Sequence, residues 1–599
     1  MRPLKLKLRL AEPLRPTELQ VTLMYAGLVG LMGACAGVLF RTAIAAVQAA
    51  LWGVEGDLVR AAEQVDLWRR VVVPALGGLA AGFVIQAGSR LHRGQTSADF
   101  MEAVALREGV IRFRPSLVKS ASSLVTVASG GSIGREGAMV QLSSMLASWM
   151  GRHTGLSKPR LELLVACGAA AGIASAYNAP IAGALFVAEI VLGSIAMQSL
   201  GPLVFASVIS TVTTRQLLGA GPVFEIPPFE LVSPWELFPY LVLGLLLGLL
   251  APWFVRLLRA SERLFARLPA SIPVRMLVGG LIVGLLSIWR PEVWGNGNTA
   301  IDSILKAGWV WHGLVWVLAF KLLATAATVG SGAVGGVFTP TLFVGAAAGY
   351  LFGMPVHGAW PASTAQASAY ALVGMGCFLA ATTHAPLMAM LMLFEMTLDY
   401  GIVLPLMLSC VVAYYTSLGI SKESIYAESL KRKSAGAEPR PLAEMTIGSL
   451  IKPDPPHVGE HARFGELVEA FKESRYNYIY VTTADGRLLG AVSLHDIKSH
   501  LEEPLLADLL IASELMRENF PSLESETTLG EALETFLLHD GERLPVVSDA
   551  RERRLVGSLS KTDLLLTLAH GRKPKAPPPA EPGSPSAGAA PPPARAVGG

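Results

Sequence analysis

The sequence predicts an all-α polytopic membrane unit in two related halves, followed by a small α/β pair. Three observations carry that prediction. Of 599 residues, 52% are hydrophobic and 16% charged, where soluble domains carry about a quarter charged. Leu322–Phe394 contains no Asp, Glu, Lys or Arg, yet it far exceeds the roughly 20 residues of one crossing. One apolar segment recurs inside the membrane unit, and a different, strand-rich segment recurs after it.

The N-terminal residues 1–20 carry Arg2, Lys5, Lys7, Arg9 and Arg15, and Val21–Phe40 then runs without a charge. That run is longer than a signal peptide's apolar core of about 7–15 residues. It predicts a retained first helix with the N-terminus in the cytoplasm. Val71–Ile85, Leu117–Ser129, Leu237–Val255, Met276–Trp289 and Gly401–Ile420 follow as membrane helices, the third too short to cross alone. Leu322–Phe394 is rich in Gly, Pro and Thr. Irregular backbone cannot face lipid, so this region predicts short, tilted and re-entrant helices lining a cavity.

The internal repeat organises residues 21–430. Gly168–Glu189 contains Tyr177-Asn178-Ala179-Pro180-Ile181, and Gly374–Glu395 contains Thr383-His384-Ala385-Pro386-Leu387. Gly, Ala-Pro and the closing Glu keep one spacing, offset by 206 residues. The halves are residues 21–218 and 231–420. Glu189 and Glu395 are expected to pair with helix ends or loops, and Lys119 and Lys321 to be buried and paired. Cys35, Cys167, Cys377 and Cys410 lie in apolar segments without metal-ligand spacing, so they read as small core residues.

Residues 431–444 read as a polar linker. Beyond them, Tyr478–Val481, Leu488–Ser493 and Asp496-Ile497 read strand, strand, helix start. Leu544–Val547, Leu555–Ser560 and Asp563-Leu564 repeat the order, the second strand and the helix start with a 67-residue offset. The two modules span 445–502 and 510–570. The Pro/Ala-rich residues 571–599 predict a disordered tail.

Two glycine loops are the candidate site. Gly131-Ser132-Ile133-Gly134-Arg135-Glu136-Gly137-Ala138 and Gly332-Ala333-Val334-Gly335-Gly336-Val337-Phe338-Thr339-Pro340 each precede a possible helix start. A helix starting inside the membrane presents unpaired N–H groups and a partial positive charge. Two converging starts form an anion site without a full cation. Glu136 can fill such a site itself, or leave it when an ion arrives or when it is protonated. A carboxylate within the membrane costs about 2.5–3.5 kcal/mol on insertion scales and usually has a function; the competing reading is a buried pair with Arg135. A net charge of +3 gives no reason to expect a nucleic-acid partner. Without a metal cluster, a Ser–His pair or paired carboxylates in the apolar part, an enzyme is not expected.

These motifs resemble those of the CLC family of chloride channels and chloride/proton exchangers, over residues 21–430. Gly134-Arg135-Glu136-Gly137-Ala138 is similar to the family GREGP segment, with Ala138 replacing Pro. The resemblance makes Glu136 the gate and places Gly134, Arg135 and Gly137 beside the anion. Gly336-Val337-Phe338-Thr339-Pro340 is similar to GxFxP, which implies anion binding by the N–H groups of Val337 and Phe338. Tyr426 falls at the family's coordinating tyrosine. The chloride-binding serine position is occupied by Gln95, with Thr96 beside it; either can donate instead. The exchangers' internal proton glutamate is replaced by Ile190, as in channels and a channel-like bacterial branch.

The C-terminal pair resembles tandem CBS domains, which also occur in that family. Ser493, Asp496, Ser560 and Asp563 fall where such domains hold a nucleotide; simple helix capping is the other reading. The resemblance thus implies inverted halves and a homodimer in the inner membrane, with both termini cytoplasmic and surrounded by membrane lipid. It further implies chloride or similar small anions as cargo, no required cofactor, and an adenine nucleotide as the CBS ligand. A passive chloride channel is the first reading; a chloride/proton antiporter with a water-mediated proton route is the alternative.

Overall fold

The computed structural model describes residues 18–426 and 445–570, leaving aside 54–57, 92–99, 106–108, 499–509 and positions 220, 225, 227, 228, 230, 307, 475, 519, 540 and 550. Gln95, Thr96, the linker, the tail and nearly all of the basic N-terminal segment lie outside the described residues. The chain divides into two units, Met1–Lys433 and Ser434–Gly599.

In the first unit, eight helices among the described residues are long and apolar enough to cross a membrane. Several outrun the apolar windows that announced them. The first helix is Glu18–Trp52, and the one beginning at Leu237 continues to Ala266. Charges do not stop the latter, because Arg259 pairs with Glu423 at 2.6 Å and Ser261 donates to the Ala326 carbonyl. Helices Lys158–Tyr177 and Met197–Leu218 were not among the expected spans. They are rich in Ala, Gly, Ser and Thr, residues that let membrane helices approach closely rather than raise hydropathy. The charge-free region is only partly re-entrant in character. Phe338–Ala359 has 22 residues, enough to cross, whereas Ala367–Thr383 and Pro386–Thr397 are short.

The two halves are inverted, and their backbone states it directly. Helix Phe113–Ala128 ends at Ser129 and Gly130 (φ 101°); helix Trp311–Gly330 ends at Ser331 and Gly332 (φ 94°). Only glycine adopts that left-handed turn without strain. Asn178 and His384 both sit in the left-handed region, at φ 60° and 58°, ahead of Ala-Pro. Proline at the first helical turn then starts helices Pro180–Phe186 and Pro386–Thr397, where its missing N–H costs nothing.

Glu395 accepts from the N–H groups of Ile181 and Ala182 at 2.9 and 2.8 Å. Glu189 accepts from those of Leu387 and Met388 at 3.3 and 2.7 Å. Each glutamate lies at the far end of its own repeat and caps the start of the other. Such an exchange requires the two segments to run antiparallel. The expectation that both glutamates pair with helix ends is met, with an exchange between halves that the sequence did not disclose.

The second unit holds two three-stranded sheets. His457–Gly459 pairs in parallel with Tyr478–Thr482, which pairs antiparallel with Leu488–Ser493. Leu523–Glu524, Arg543–Val547 and Leu555–Ser560 repeat the arrangement. The leading segments are exchanged. Lys452 and Ser558 trade backbone hydrogen bonds at 2.9 Å, and Ile447 packs among residues of the second module. Ala512 packs in the first module and donates to the Ala462 carbonyl. The spatial modules therefore differ from the consecutive stretches 445–502 and 510–570.

Candidate functional site

Glu136 is the first residue of helix Glu136–His153 and is 4% exposed. The two glycine loops meet there. Gly134 N–H donates to the Gly336 carbonyl at 2.7 Å, and Gly336 N–H donates to that of Gly134 at 2.9 Å. This reciprocal pair fixes the loops of opposite halves against each other. Glu136 Oε1 accepts from the N–H of Phe338 at 3.1 Å and of Thr339 at 3.3 Å. A carboxylate thus sits at the positive end of helix Phe338–Ala359. A side chain on Gly134 or Gly336 would overlap that carboxylate, so glycine leaves the space it fills.

The amides that meet the carboxylate differ by one residue from the pair expected to hold the anion. Phe338 is common to both. Val337 is the N-cap, at φ −106° and ψ 6°, and its partner here is replaced by Thr339. Glu136 does not form the competing buried ion pair with Arg135: its hydrogen bonds go to the opposite helix.

A cavity of about 350 Å³ opens beside Glu136. Gly137, Val337, Phe186, Lys119 and Tyr426 line it. Tyr426 meets Phe186 edge-on, with centroids 5.7 Å apart. Gln141 braces one wall, accepting from Phe100 N–H at 3.1 Å and donating to Ser116 Oγ at 3.0 Å. Tyr177, a residue of the repeat, also belongs to the site, which the sequence did not disclose. Its hydroxyl shares a 2.9 Å hydrogen bond with Thr339 Oγ1, and its ring lies 4.8 Å from that of Phe338. A tyrosine closing an apolar helix, with a polar tip in need of a partner, was the available signal.

Lys119 and Lys321 both stand 17 residues before the loop residues Glu136 and Phe338. Their settings have diverged. Lys119 lines the cavity. Lys321 is 1% exposed, and its ammonium donates to the carbonyls of Val293 and Gly295 at 2.9 Å and of Trp294 at 3.3 Å. Ile190 lies in a π-helical turn, Val187–Val191, packed on the apolar core immediately after Glu189. Among the described residues no group of three or more His, Cys, Asp or Glu is placed to hold a metal.

In the second unit, Ser493 Oγ accepts from Asp496 N–H at 3.1 Å, the capping geometry. Arg517 grips both Asp496 oxygens at 2.6 and 3.1 Å. Burial alone would raise the Asp496 carboxyl; the Arg517 and Ser493 bonds outweigh it and hold it below the usual carboxylate value. Asp563 pairs with Lys452 at 2.8 Å. Ser560 lines a cleft of about 240 Å³ with Tyr476, Tyr478, Arg543, Ser558 and Thr562. The Arg543 guanidinium lies 4.4 Å from the Tyr476 ring.

The family model described as "Voltage gated chloride channel" matches residues 77–418, and the CBS-domain model matches 447–503 and 512–570. A "Putative chloride channel protein ClcB-like" from Ralstonia nicotianae is 50% identical over 414 residues, covering 68% of this chain and 96% of the relative. A "Voltage-gated ClC-type chloride channel ClcB" from Citrobacter koseri is 41% identical over 413 residues, covering 68% and 98%. Among solved structures, a slow cyanobacterial Cl−/H+ antiporter aligns with a TM-score of 0.62 at 25% identity, over 69% of this chain and 98% of that one. A eukaryotic CLC transporter aligns with a TM-score of 0.59 at 17% identity, over 90% and 97%, a likeness of fold. With its glycine loops, exchanged glutamates and C-terminal sheets, the chain belongs to the CLC family of chloride-transporting membrane proteins and carries a CBS pair.

Proposed function

We propose that this protein conducts chloride passively, as a channel, with Glu136 as the gate. In this reading the carboxylate occupies the anion's place at the Phe338 and Thr339 amides and leaves when chloride displaces it or a proton neutralises it. Helix amides suit a dehydrated halide because their partial charges bind without trapping it. The Tyr177 and Tyr426 hydroxyls are further donors, Tyr426 from the cavity. Gly134, Arg135 and Gly137 shape the loop, and Gln95 or Thr96 supplies the inner donor.

The observation that carries the channel reading is Ile190. A branched alkyl group has no titratable proton, so a carboxylate relay to Glu136 is interrupted there. Bilayer recordings test this through the reversal potential. Under a chloride gradient it is expected at the chloride equilibrium value, unmoved by a pH gradient. A reversal potential that shifts with the pH gradient favours the antiporter alternative, in which water carries the proton past Ile190.

The CBS pair is read as cytoplasmic, with both termini internal. An inner-membrane homodimer with one pathway per subunit fits exposed apolar side chains such as Met197, Leu404 and Tyr415, covered by lipid or a second copy. The cleft at Ser560, with Tyr476 and Arg543, suits a base and a phosphate of an adenine nucleotide; Asp496 is already engaged by Arg517. No cofactor is required for conduction itself. Calorimetry with ATP and AMP tests the nucleotide, and absence of heat with both removes it.

A further inference from the structure

A second cavity, of about 300 Å³, shares no lining residue with the first. Arg135 lines it while Glu136, next in the chain, lines the other, so the gate segment partitions the two. Arg41, from the first helix, faces the same space. Its remaining wall is uncharged among the described residues: Ser175, Thr214, Asn178 and Asn298 are its polar side chains, set among apolar ones such as Leu218 and Val223.

The wall is built rather than incidental. Asn178, held in its left-handed conformation, accepts from Arg215 Nε at 2.8 Å and donates to the Gly221 carbonyl at 3.1 Å. Thr214 donates to Ser175 Oγ at 3.1 Å. Arg215 is thereby occupied. Arg41 and Arg135 are not: among the described residues neither guanidinium donates a hydrogen bond or pairs with a carboxylate within 4 Å. Both guanidiniums line the one cavity. Like charges lining one space without a carboxylate raise the local concentration of anions.

We propose that Arg41 and Arg135 form a capture site for small monovalent anions, chloride first, one step from Glu136 on the side away from Tyr426. The cavity has room for several waters, so the anion is held hydrated and sheds its water only at the helix amides. Arg41 therefore sets how readily chloride arrives, and the amide site sets which halide is chosen. This inference rests on the reading of Glu136 as gate.

The test varies chloride only on the side to which this cavity opens, in low-salt bilayers. Arg41→Gln is expected to raise half-saturating chloride about threefold, the factor one unit charge supplies across a few ångströms of water. Saturating current and the chloride-to-bromide ratio stay unchanged, and the shift shrinks at high salt. Arg41→Lys stays near the parent. Arg41→Cys in a Cys35→Ser background, which removes the one exposed native thiol among the described cysteines, adds a control that needs no second fold. A cationic thiol reagent restores the parent value and an anionic one raises it further. Half-saturation that ignores both the substitution and the reagent's charge, in protein with normal Glu136-sensitive current, overturns the capture site alone. Absence of Glu136-sensitive current in the parent overturns the gate reading and this proposal with it.

Discussion

Among the described residues of the membrane unit, three carboxylates cap a helix belonging to the other half, and they do so in two ways. Glu189 and Glu395 form a reciprocal set, each using both oxygens on two consecutive amides. Glu136 uses one oxygen for two amides, at 3.1 and 3.3 Å, and its counterpart position carries Phe338, which returns nothing. The symmetric caps lock the halves together. The unreciprocated one faces a cavity, and in the proposed reading its partner site is the one an anion takes. The difference teaches that a carboxylate at a helix start is a lock or a gate according to what else can satisfy those amides.

The largest effect is expected at the gate. A hydrogen bond to a charged group contributes about 1.5–3 kcal/mol. Removing the carboxylate should free the amides by at least tenfold in occupancy. Glu136→Gln and Glu136→Ala are expected to fold, to raise chloride current at low chloride and to lose its dependence on pH. Unchanged current and pH response in both variants would erase the distinction drawn above.

The locks should behave oppositely. Glu189→Ala or Glu395→Ala strands two helix amides, a loss of about 2–4 kcal/mol. Thermal unfolding in detergent should register it, while the chloride-to-bromide ratio of the surviving protein stays as in the parent. A selectivity change at full stability would move these residues into the pathway.

The lysine pair sharpens the same contrast at smaller scale. Lys321→Met leaves the carbonyls of Val293, Trp294 and Gly295 without their donor, and should cost about 1–3 kcal/mol with little change in conductance. Lys119→Met, at a residue lining the cavity, should lower conductance. The reverse pattern would exchange their roles.

The smallest effect belongs to the second unit. Asp496 is 23% and Arg517 60% exposed, so their pair contributes under about 1 kcal/mol. Its folded carboxyl lies below the usual value. The contribution is therefore complete above the unfolded value of about 3.9 and is lost as pH falls through the folded one. Asp496→Asn should lower the unfolding midpoint slightly at pH 7 and not at all in strong acid. An equal loss at both pH values would assign the effect to packing.

The glycine loops, the repeat and four of the six strands were legible because each leaves a local mark: glycine spacing, Ala-Pro, or alternating apolar residues. What escaped depends on partners distant in sequence. His457–Gly459 and Leu523–Glu524 are too short to show alternation and exist through parallel pairing. The exchange of Glu189 and Glu395 spans about two hundred residues, so either glutamate alone reads only as a buried carboxylate. The Thr339 amide's contact with Glu136 was not legible because the first turn after an N-cap is set by backbone angles, not residue type. Tyr177 was visible as a repeat residue, and only the fold brings its hydroxyl to Thr339.

The central claim is that chloride passes Glu136 without a coupled proton. Proteoliposomes with a chloride gradient, no pH gradient and voltage clamped by potassium and valinomycin test it most directly. Chloride is expected to move while internal pH stays flat, because Ile190 offers no proton carrier. Uphill proton movement in fixed ratio to chloride, persisting under the clamp and absent in Glu136→Ala, would contradict the channel and establish the antiporter.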